Sequence, residues 1–226
     1  MRMRRKHHLE ERIDACDKNL LLAVQDNGFY MKNEEEKYDI FDLSKVFCNN
    51  RPVYLELGCG KGGFAIEYAL SHPEINILAV EKISNVIIEG VEAAEKRQLT
   101  NLKFINCGAE NLKYYLKPHT VSRIFLNFSC PYPKNTYANR RLTNVSYLEI
   151  YKEFMTQEAE IHQKTDNMKL FEYSLQSFSE NGFALKNISL DLHNSYFKDN
   201  IETEYEKHFS ALGKPIYRLE AYLKTK

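Results

Sequence analysis

An α/β fold built on a mostly parallel sheet is predicted for this chain from three observations. Short apolar runs alternate with segments of helical spacing, a glycine-rich turn separates the first clear run from its helix, and an acidic residue ends the second. In order, residues 1–50 read as a basic arm, a helical stretch over 9–24 and a polar connection through Glu34, Glu35 and Glu36. Residues 53–57, Val-Tyr-Leu-Glu-Leu, have the length and apolar character of a buried strand, and Phe64, Ala65, Tyr68 and Ala69 beyond the glycines fall at helical spacing. The alternation continues with a strand over 75–80, a helix over 86–97 carrying Ile87, Val91 and Ala94 on one face, a strand over 102–106 and, after a helical link, a strand over 123–128. A helix over 147–158, a strand over 160–164, a helix over 168–179 and strands over 183–190 and 216–223 follow. Strands separated by helices imply right-handed crossovers and parallel pairing, with helices on both faces of the sheet. The last two runs are expected as its antiparallel edge.

A chain of 226 residues suits one domain, read here as an N-terminal extension over 1–50 and a core over 51–226. With 43% hydrophobic and 27% charged residues, the composition is that of a globular protein and excludes a disordered or fibrous one. No run approaches the roughly 20 apolar residues that span a bilayer, so no membrane association is expected. The basic start is followed by Glu10, Glu11, Asp14 and Asp17 where an export signal needs an apolar segment, and none is expected. Five cysteines (Cys16, Cys48, Cys59, Cys107 and Cys130) form no Cys-x-x-Cys pair, which argues against a disulfide framework and a zinc site and for the reducing cytoplasm, with no metal. Both a monomer and a homodimer remain open.

The net charge of +0 gives no general attraction to nucleic acid, but its distribution is uneven. No acidic residue lies between Glu110 and Glu149, a window that holds Lys113, Lys117, Arg123, Lys134, Arg140 and Arg141 with several tyrosines among them. A local positive surface for nucleic acid is one reading of this window. A solvated loop balanced by neighbours in space is the other.

Glu56-Leu57-Gly58-Cys59-Gly60-Lys61-Gly62-Gly63 is the strongest local signal, because it leaves a strand and opens a helix. Glycines at such a turn let a ligand approach bare backbone, and Glu81, about 20 residues beyond Gly60, ends the next strand, where a carboxylate can accept from both hydroxyls of a ribose. An adenosine-type cofactor is therefore expected. The spacing of Gly58, Gly60 and Gly63 also fits a dinucleotide, but Glu56 would repel a pyrophosphate while tolerating the cationic S-adenosylmethionine, and so favours the latter.

Several stretches have no generic structural explanation. They are Leu-Asn-Phe-Ser-x-Pro-x-Pro-Lys over 126–134, Arg-Arg-Leu-Thr over 140–143, Lys-Thr-Asp-Asn over 164–167, Leu-Phe-Glu-Tyr-Ser-Leu over 170–175, Asp-Leu-His-Asn-Ser over 191–195 and Thr-Glu-Tyr-Glu over 203–206. With the glycine turn, they make residues 53–219 resemble the bacterial tRNA (guanine-N7)-methyltransferases. The resemblance implies a Rossmann-like class I methyltransferase fold, S-adenosyl-L-methionine as cofactor and tRNA as substrate. It implies cofactor binding by Glu56, Gly58, Gly60, Glu81 and the region of Gly108 and Glu110, and contacts to tRNA or its guanine by Lys134, Asp166 and Thr203, Glu204, Tyr205 and Glu206. Lys134 beyond a strand end, with Arg140 and Arg141, can meet phosphates, and Asp166 and Glu206 can accept from a guanine edge. Asp166 and Thr203 also precede helical stretches, so helix capping competes for both.

The departures from the family fall at the chemistry. Its Asp-Pro-Trp-Pro-Lys is Cys130-Pro131-Tyr132-Pro133-Lys134 here, so Cys130 stands at the position of the catalytic Asp, where it is expected as a small buried filler. A thiolate nucleophile is the alternative role for it. A second family acid, near the adenine, is Gly108, with Glu110 as a partial substitute, and His7-His8 replace a Pro-Trp pair. Three readings follow: an active tRNA methyltransferase of altered efficiency, a degenerate paralogue that binds tRNA or cofactor without turnover, and a methyltransferase for another nucleobase or small molecule. For the last, Ser129-Cys130-Pro131-Tyr132 is loosely similar to the Pro-Tyr loop of amino-methyltransferases.

Overall fold

The computed structural model describes residues 6–18, 20–24 and 40–224. The expected basic arm over its first five residues and the connection through Glu34, Glu35 and Glu36 lie outside them. One eight-stranded mixed sheet organises the rest, with strands β1 (Leu21–Val24), β2 (Val53–Leu57), β3 (Asn76–Val80), β4 (Leu102–Asn106), β5 (Val121–Asn127), β6 (Met155–Thr165), β7 (Phe183–Ser189) and β8 (Tyr217–Leu223) in the order β1-β4-β3-β2-β5-β6-β8-β7. The first six positions in that order pair in parallel, and β8 runs antiparallel to both β6 and β7, which is the expected antiparallel edge.

Every residue of β3 is buried because successive side chains point to opposite faces and both faces are covered. Leu78 and Val80 pack with α5 (Val145–Phe154), α6 (Met168–Glu180) and the short α2 (Leu43–Phe47). Ile77 and Ala79 pack on the other side with α1 (Leu9–Ala15), α3 (Gly63–Ser71) and α4 (Ser84–Lys96). Deleting one such fully buried leucine or isoleucine to alanine costs about 2–5 kcal/mol, so the two layers hold the strand ends firmly. α7 (Glu204–Ala211) lies beyond β7 in the chain and carries a single buried residue, Glu206.

The expected helix over 9–24 is corrected. It ends at Ala15, and after a turn at Leu20 the chain is extended over Leu21–Val24, with Phe104 N–H donating to Leu20 O at 2.8 Å and β1 pairing with β4. A continuous apolar run fits a buried strand as well as a helix, and the register with β4 decides it. Strands counted from 53 onward therefore each gain one ordinal, so Lys134 follows the fifth strand and Asp166 the sixth. The expected helix over 147–158 is likewise shorter, since α5 passes into β6 without a loop at Met155. Arg12 anchors α1 to α4 by two hydrogen bonds to Glu92, both 2.7 Å. Among the described residues no helix is long and apolar enough to cross a membrane.

Candidate active site

Parallel strands deliver their carboxyl ends to one edge, and the loops there enclose two hollows that share Gly58 and Phe128. One, of about 380 Å³, is lined by Glu81, Ile83, Ala109, Glu110, Cys130, Tyr132, Arg140 and Tyr147. The other, of about 450 Å³, is lined by Glu56, Gly60, Phe64, Asn127, Thr203, Glu204, Tyr205 and His208. Gly58 and Gly60 have φ of 74° and 59°, and nothing lies within 4 Å of where a Cβ would stand, so backbone is open to a ligand between the hollows.

Glu56 is only 2% exposed. Its Oε1 accepts from Asn127 Nδ2 at 3.0 Å, and its buried Oε2 has no hydrogen-bond partner. Burial pushes this carboxyl up to about 7, against the lowering effects of the Asn127 bond and the positive charge of Lys164. Glu81 is half-buried at the end of β3, where its oxygens accept from Ile83 N at 2.9 Å and Gly60 N at 3.3 Å, so the acid is folded onto the glycine turn.

The Glu110 carboxylate stands over Gly108. A Cβ on Gly108 would meet the Glu110 carboxylate atoms at 2.5 to 2.6 Å, so that carboxylate occupies the space a side chain at 108 would claim. Any side chain at 108 would have to displace it. Burial, with the nearby charge of Glu110, pushes the phenol of Tyr147 on α5 up to about 12.

The loop after β5 is held in a costly shape. Phe128 and Tyr132 have φ of 50° and 40°, left-handed values that cost a non-glycine residue about 1–3 kcal/mol each. Phe128 N–H donates to Lys164 O at 2.8 Å, and Arg141 donates to Pro131 O and Tyr132 O at 3.0 Å each while stacking over Tyr173. Arg141 is 8% exposed and turned into this loop through its Nε and one Nη, which corrects its expected role at a phosphate. Lys134 and Arg140 are exposed, with Arg140 over the Tyr137 ring. Cys130 is exposed at the mouth of the first hollow, which corrects the expectation of a buried filler.

Asp166 is half-buried, 3.8 Å from Lys214 Nζ, and Asn167 rather than Asp166 caps α6. Thr203 does cap α7, its hydroxyl accepting from Glu206 N at 2.9 Å. Asp166 and Cys130 both bear electrostatically on Tyr205, whose ring lies 5.2 Å from that of Phe128. Glu204 and Tyr205 are exposed, whereas Glu206 is completely buried with its oxygens engaged by Lys164, Asn200 and His193, which corrects its expected contact with a guanine edge. Sequence reasoning missed Asn127, Lys164 and Asn200. The first two lie in stretches that carried the resemblance, but only the pairing of β5 with β6 shows that they are neighbours.

On the α3 side of the sheet, Glu160, His162 and Glu220 bring possible metal-ligand atoms within 4.8 Å of one another beside a cavity of about 420 Å³. Arg123 and Lys186 bond to Glu160, and Arg218 bonds to Glu220. Three fixed cations oppose the approach of a further one, and the cluster reads as an ion-pair network.

Residues 50–219 match the model of a family described as "Putative methyltransferase". The 16S rRNA methyltransferase KamB shares the fold with a TM-score of 0.61 at 14% identity, over 84% of this chain and 97% of that one. The aminoglycoside resistance methyltransferase NpmB1 does so with a TM-score of 0.59 at 16% identity, over 83% and 95%. Fold and site thus define a Rossmann-like class I methyltransferase. The tRNA (guanine-N(7)-)-methyltransferase of Bacillus cytotoxicus is 40% identical over 100% of this chain and 98% of its own length, and that of Bacillus velezensis is 42% identical over 100% and 99%. This chain belongs to the bacterial tRNA (guanine-N7)-methyltransferase family.

The state of Glu56 makes a stability prediction. Between pH 4.5, where such a carboxyl titrates ordinarily, and about 7, where it titrates here, the folded protein keeps the proton and the unfolded chain has lost it. Stability therefore falls as pH rises through that window and stays low above it. Without ligand, Glu56→Gln is expected to be more stable than the wild type at pH 8 by about 2 kcal/mol, the raised pKa being partly offset by the new amide's own unmet donor. The gain should shrink toward pH 5. Denaturant unfolding at the two pH values checks this, and equal stability at pH 8 would contradict a buried, half-satisfied carboxylate.

Proposed function

We propose that this chain transfers the methyl group of S-adenosylmethionine to guanine N7 of a tRNA, with the cofactor lying across the glycine turn between the two hollows. The observation that carries this is the buried Oε2 of Glu56, an acceptor with half a carboxylate's charge and no donor. A ligand's amino group supplies both the donor and the charge. The rest of the site fits the same molecule: Gly58 and Gly60 offer bare backbone, Glu81 can accept from ribose hydroxyls, and Glu110, standing over Gly108, can accept from an adenine amino group. When bound, the cofactor supplies an electrophilic methyl group on a sulfonium.

Guanine N7 carries an unprotonated lone pair, so the chain needs no general base. Its residues act by alignment, which contributes roughly 7–11 kcal/mol in favourable systems, and by charge placed near the base. Asp166 and Tyr205 stand together beside the second hollow, where a carboxylate can accept from the N–H groups of a guanine and a ring can pack on it. Thr203 holds the start of α7 in position, and Glu204 is exposed next to it. Lys134 and Arg140 are exposed and free to meet RNA phosphates. This reading assigns the protein to the reducing cytoplasm, in keeping with five cysteines that are all free.

Cys130 offers no carboxylate where the family has its Asp, and a slowed reaction is the consequence. Unmodified tRNA incubated with labelled cofactor and digested to nucleosides should yield 7-methylguanosine. Cys130→Asp should raise kcat by on the order of 10²-fold, the scale of one preorganised charge. Product from the variant alone would favour the second reading, a paralogue that binds without useful turnover, and product from neither would contradict the proposal. On the RNA side, alanine at Lys134 or Arg140 should flatten the plot of log affinity against log salt by about 0.7–0.9 for each phosphate that is no longer neutralised. A slope unchanged in both variants would mean that the phosphates are met elsewhere.

A further inference from the structure

The ammonium of Lys164 is a buried positive charge beside the site. It lies one residue before the end of β6 with a side chain 8% exposed, and its three donors go to one segment: Asn200 Oδ1 at 2.9 Å, Ile201 O at 2.9 Å and Glu206 Oε2 at 2.6 Å. Glu206 is completely buried, accepts from Asn200 Nδ2 at 2.6 Å and lies 3.2 Å from His193 Nε2. One cation therefore ties the loop before α7, and the first turn of α7 itself, to the sheet. On its other side Lys164 is in register with Asn127 of β5, whose amide donates to Glu56, and its charge acts on Glu56 directly.

A lock of this kind could be built from apolar side chains at equal or lower cost, since burying an ion pair is often no better than packing hydrocarbons of similar volume. An ion pair here does something hydrocarbons cannot: it divides one positive charge between two carboxylates in two parts of the site. We propose that Lys164 is a positioning residue that couples the start of α7, where Glu204 and Tyr205 are exposed, to the Glu56 carboxylate, so that seating of that segment and affinity for the cofactor depend on one buried cation. The inference rests on the assignment of Glu56 to the cofactor.

Charge balance gives the coupling a sign. The groups facing Glu56 are Lys164 from β6, Glu81 from the end of β3 and the Cys59 thiol of the turn, which burial keeps protonated. The groups facing Lys164 and Glu206 are Arg218 from β8 and His193 from the loop. Removing the positive charge leaves Glu56 harder to ionise, and removing the competing carboxylate of Glu206 leaves Lys164 free to favour ionised Glu56. The two changes should therefore move cofactor binding in opposite directions along the pH axis.

Calorimetric titration with S-adenosylhomocysteine from pH 6 to 9 tests this on the full chain. The wild type should gain affinity as Glu56 ionises. In Lys164→Met the midpoint of that gain should move up by about one pH unit, and in Glu206→Gln it should move down. Amide exchange over 200–206 should quicken in both, which is all that a purely structural role predicts. Midpoints that stay at the wild-type value, or move the same way in both variants, would overturn the coupling. Should Lys164→Met fail to fold, Glu206→Gln decides alone, a lowered midpoint supporting the inference and an unmoved or raised one refuting it. A wild type that binds no S-adenosylhomocysteine at any pH would instead remove the cofactor assignment underneath it.

Discussion

A carboxylate buried with one oxygen satisfied and the other bare is expensive to fold, because desolvation disfavours its charge and a bare buried acceptor loses its water without replacement. Glu56 is in that state, at the end of a central strand between two layers of fully buried side chains. The amide of Asn127, the charge of Lys164 and the backbone N–H of Ala65 relieve it only in part. Such an arrangement survives when what it forfeits in stability returns as binding to a cation, and the neighbouring glycine turn leaves room for one. The cofactor reading of both hollows depends on this one half-satisfied acid.

Around it, the site is assembled from compensations. Gly108 has no side chain, and the Glu110 carboxylate stands in the space that opens. Phe128 and Tyr132 adopt left-handed backbone in the loop that shapes both hollows, and Arg141 holds that loop through two carbonyls. A basic residue that looks like an RNA contact in sequence thus supports the loop that leads to exposed Lys134. Glu206 behaves in the same way, since it secures the start of α7 while Tyr205, one residue earlier, faces out. Cys130 is the departure without such a remedy: among the described residues, no carboxylate lines the first hollow besides Glu81 and Glu110, both of which the proposal gives to the cofactor.

Much of this was legible in the sequence, for identifiable reasons. The strands at 53, 76, 102 and 121 showed because buried parallel strands are short apolar runs bounded by turns, and Glu56, Glu81 and the glycines showed because they occupy strand ends. β1 did not, since Leu20 to Val24 continues an apolar stretch that a helix explains equally well until β4 is alongside it. Asn127 and Lys164 did not, because their value comes from lying side by side across β5 and β6, a register the linear sequence does not contain. Glu206 was placed at the RNA by the resemblance and Arg141 by its position in a window without acids, and only their partners reveal that they face in.

The central claim, that Glu56 receives the amino group of the cofactor, is tested most directly by removing that amino group from the ligand. Binding of S-adenosylhomocysteine can be compared with that of its analogue lacking the α-amino group, in wild type and in Glu56→Gln. The account predicts a large loss of affinity for the analogue in the wild type and a small one in the variant, the difference being the coupling between the two groups. An equal loss in both proteins would contradict it.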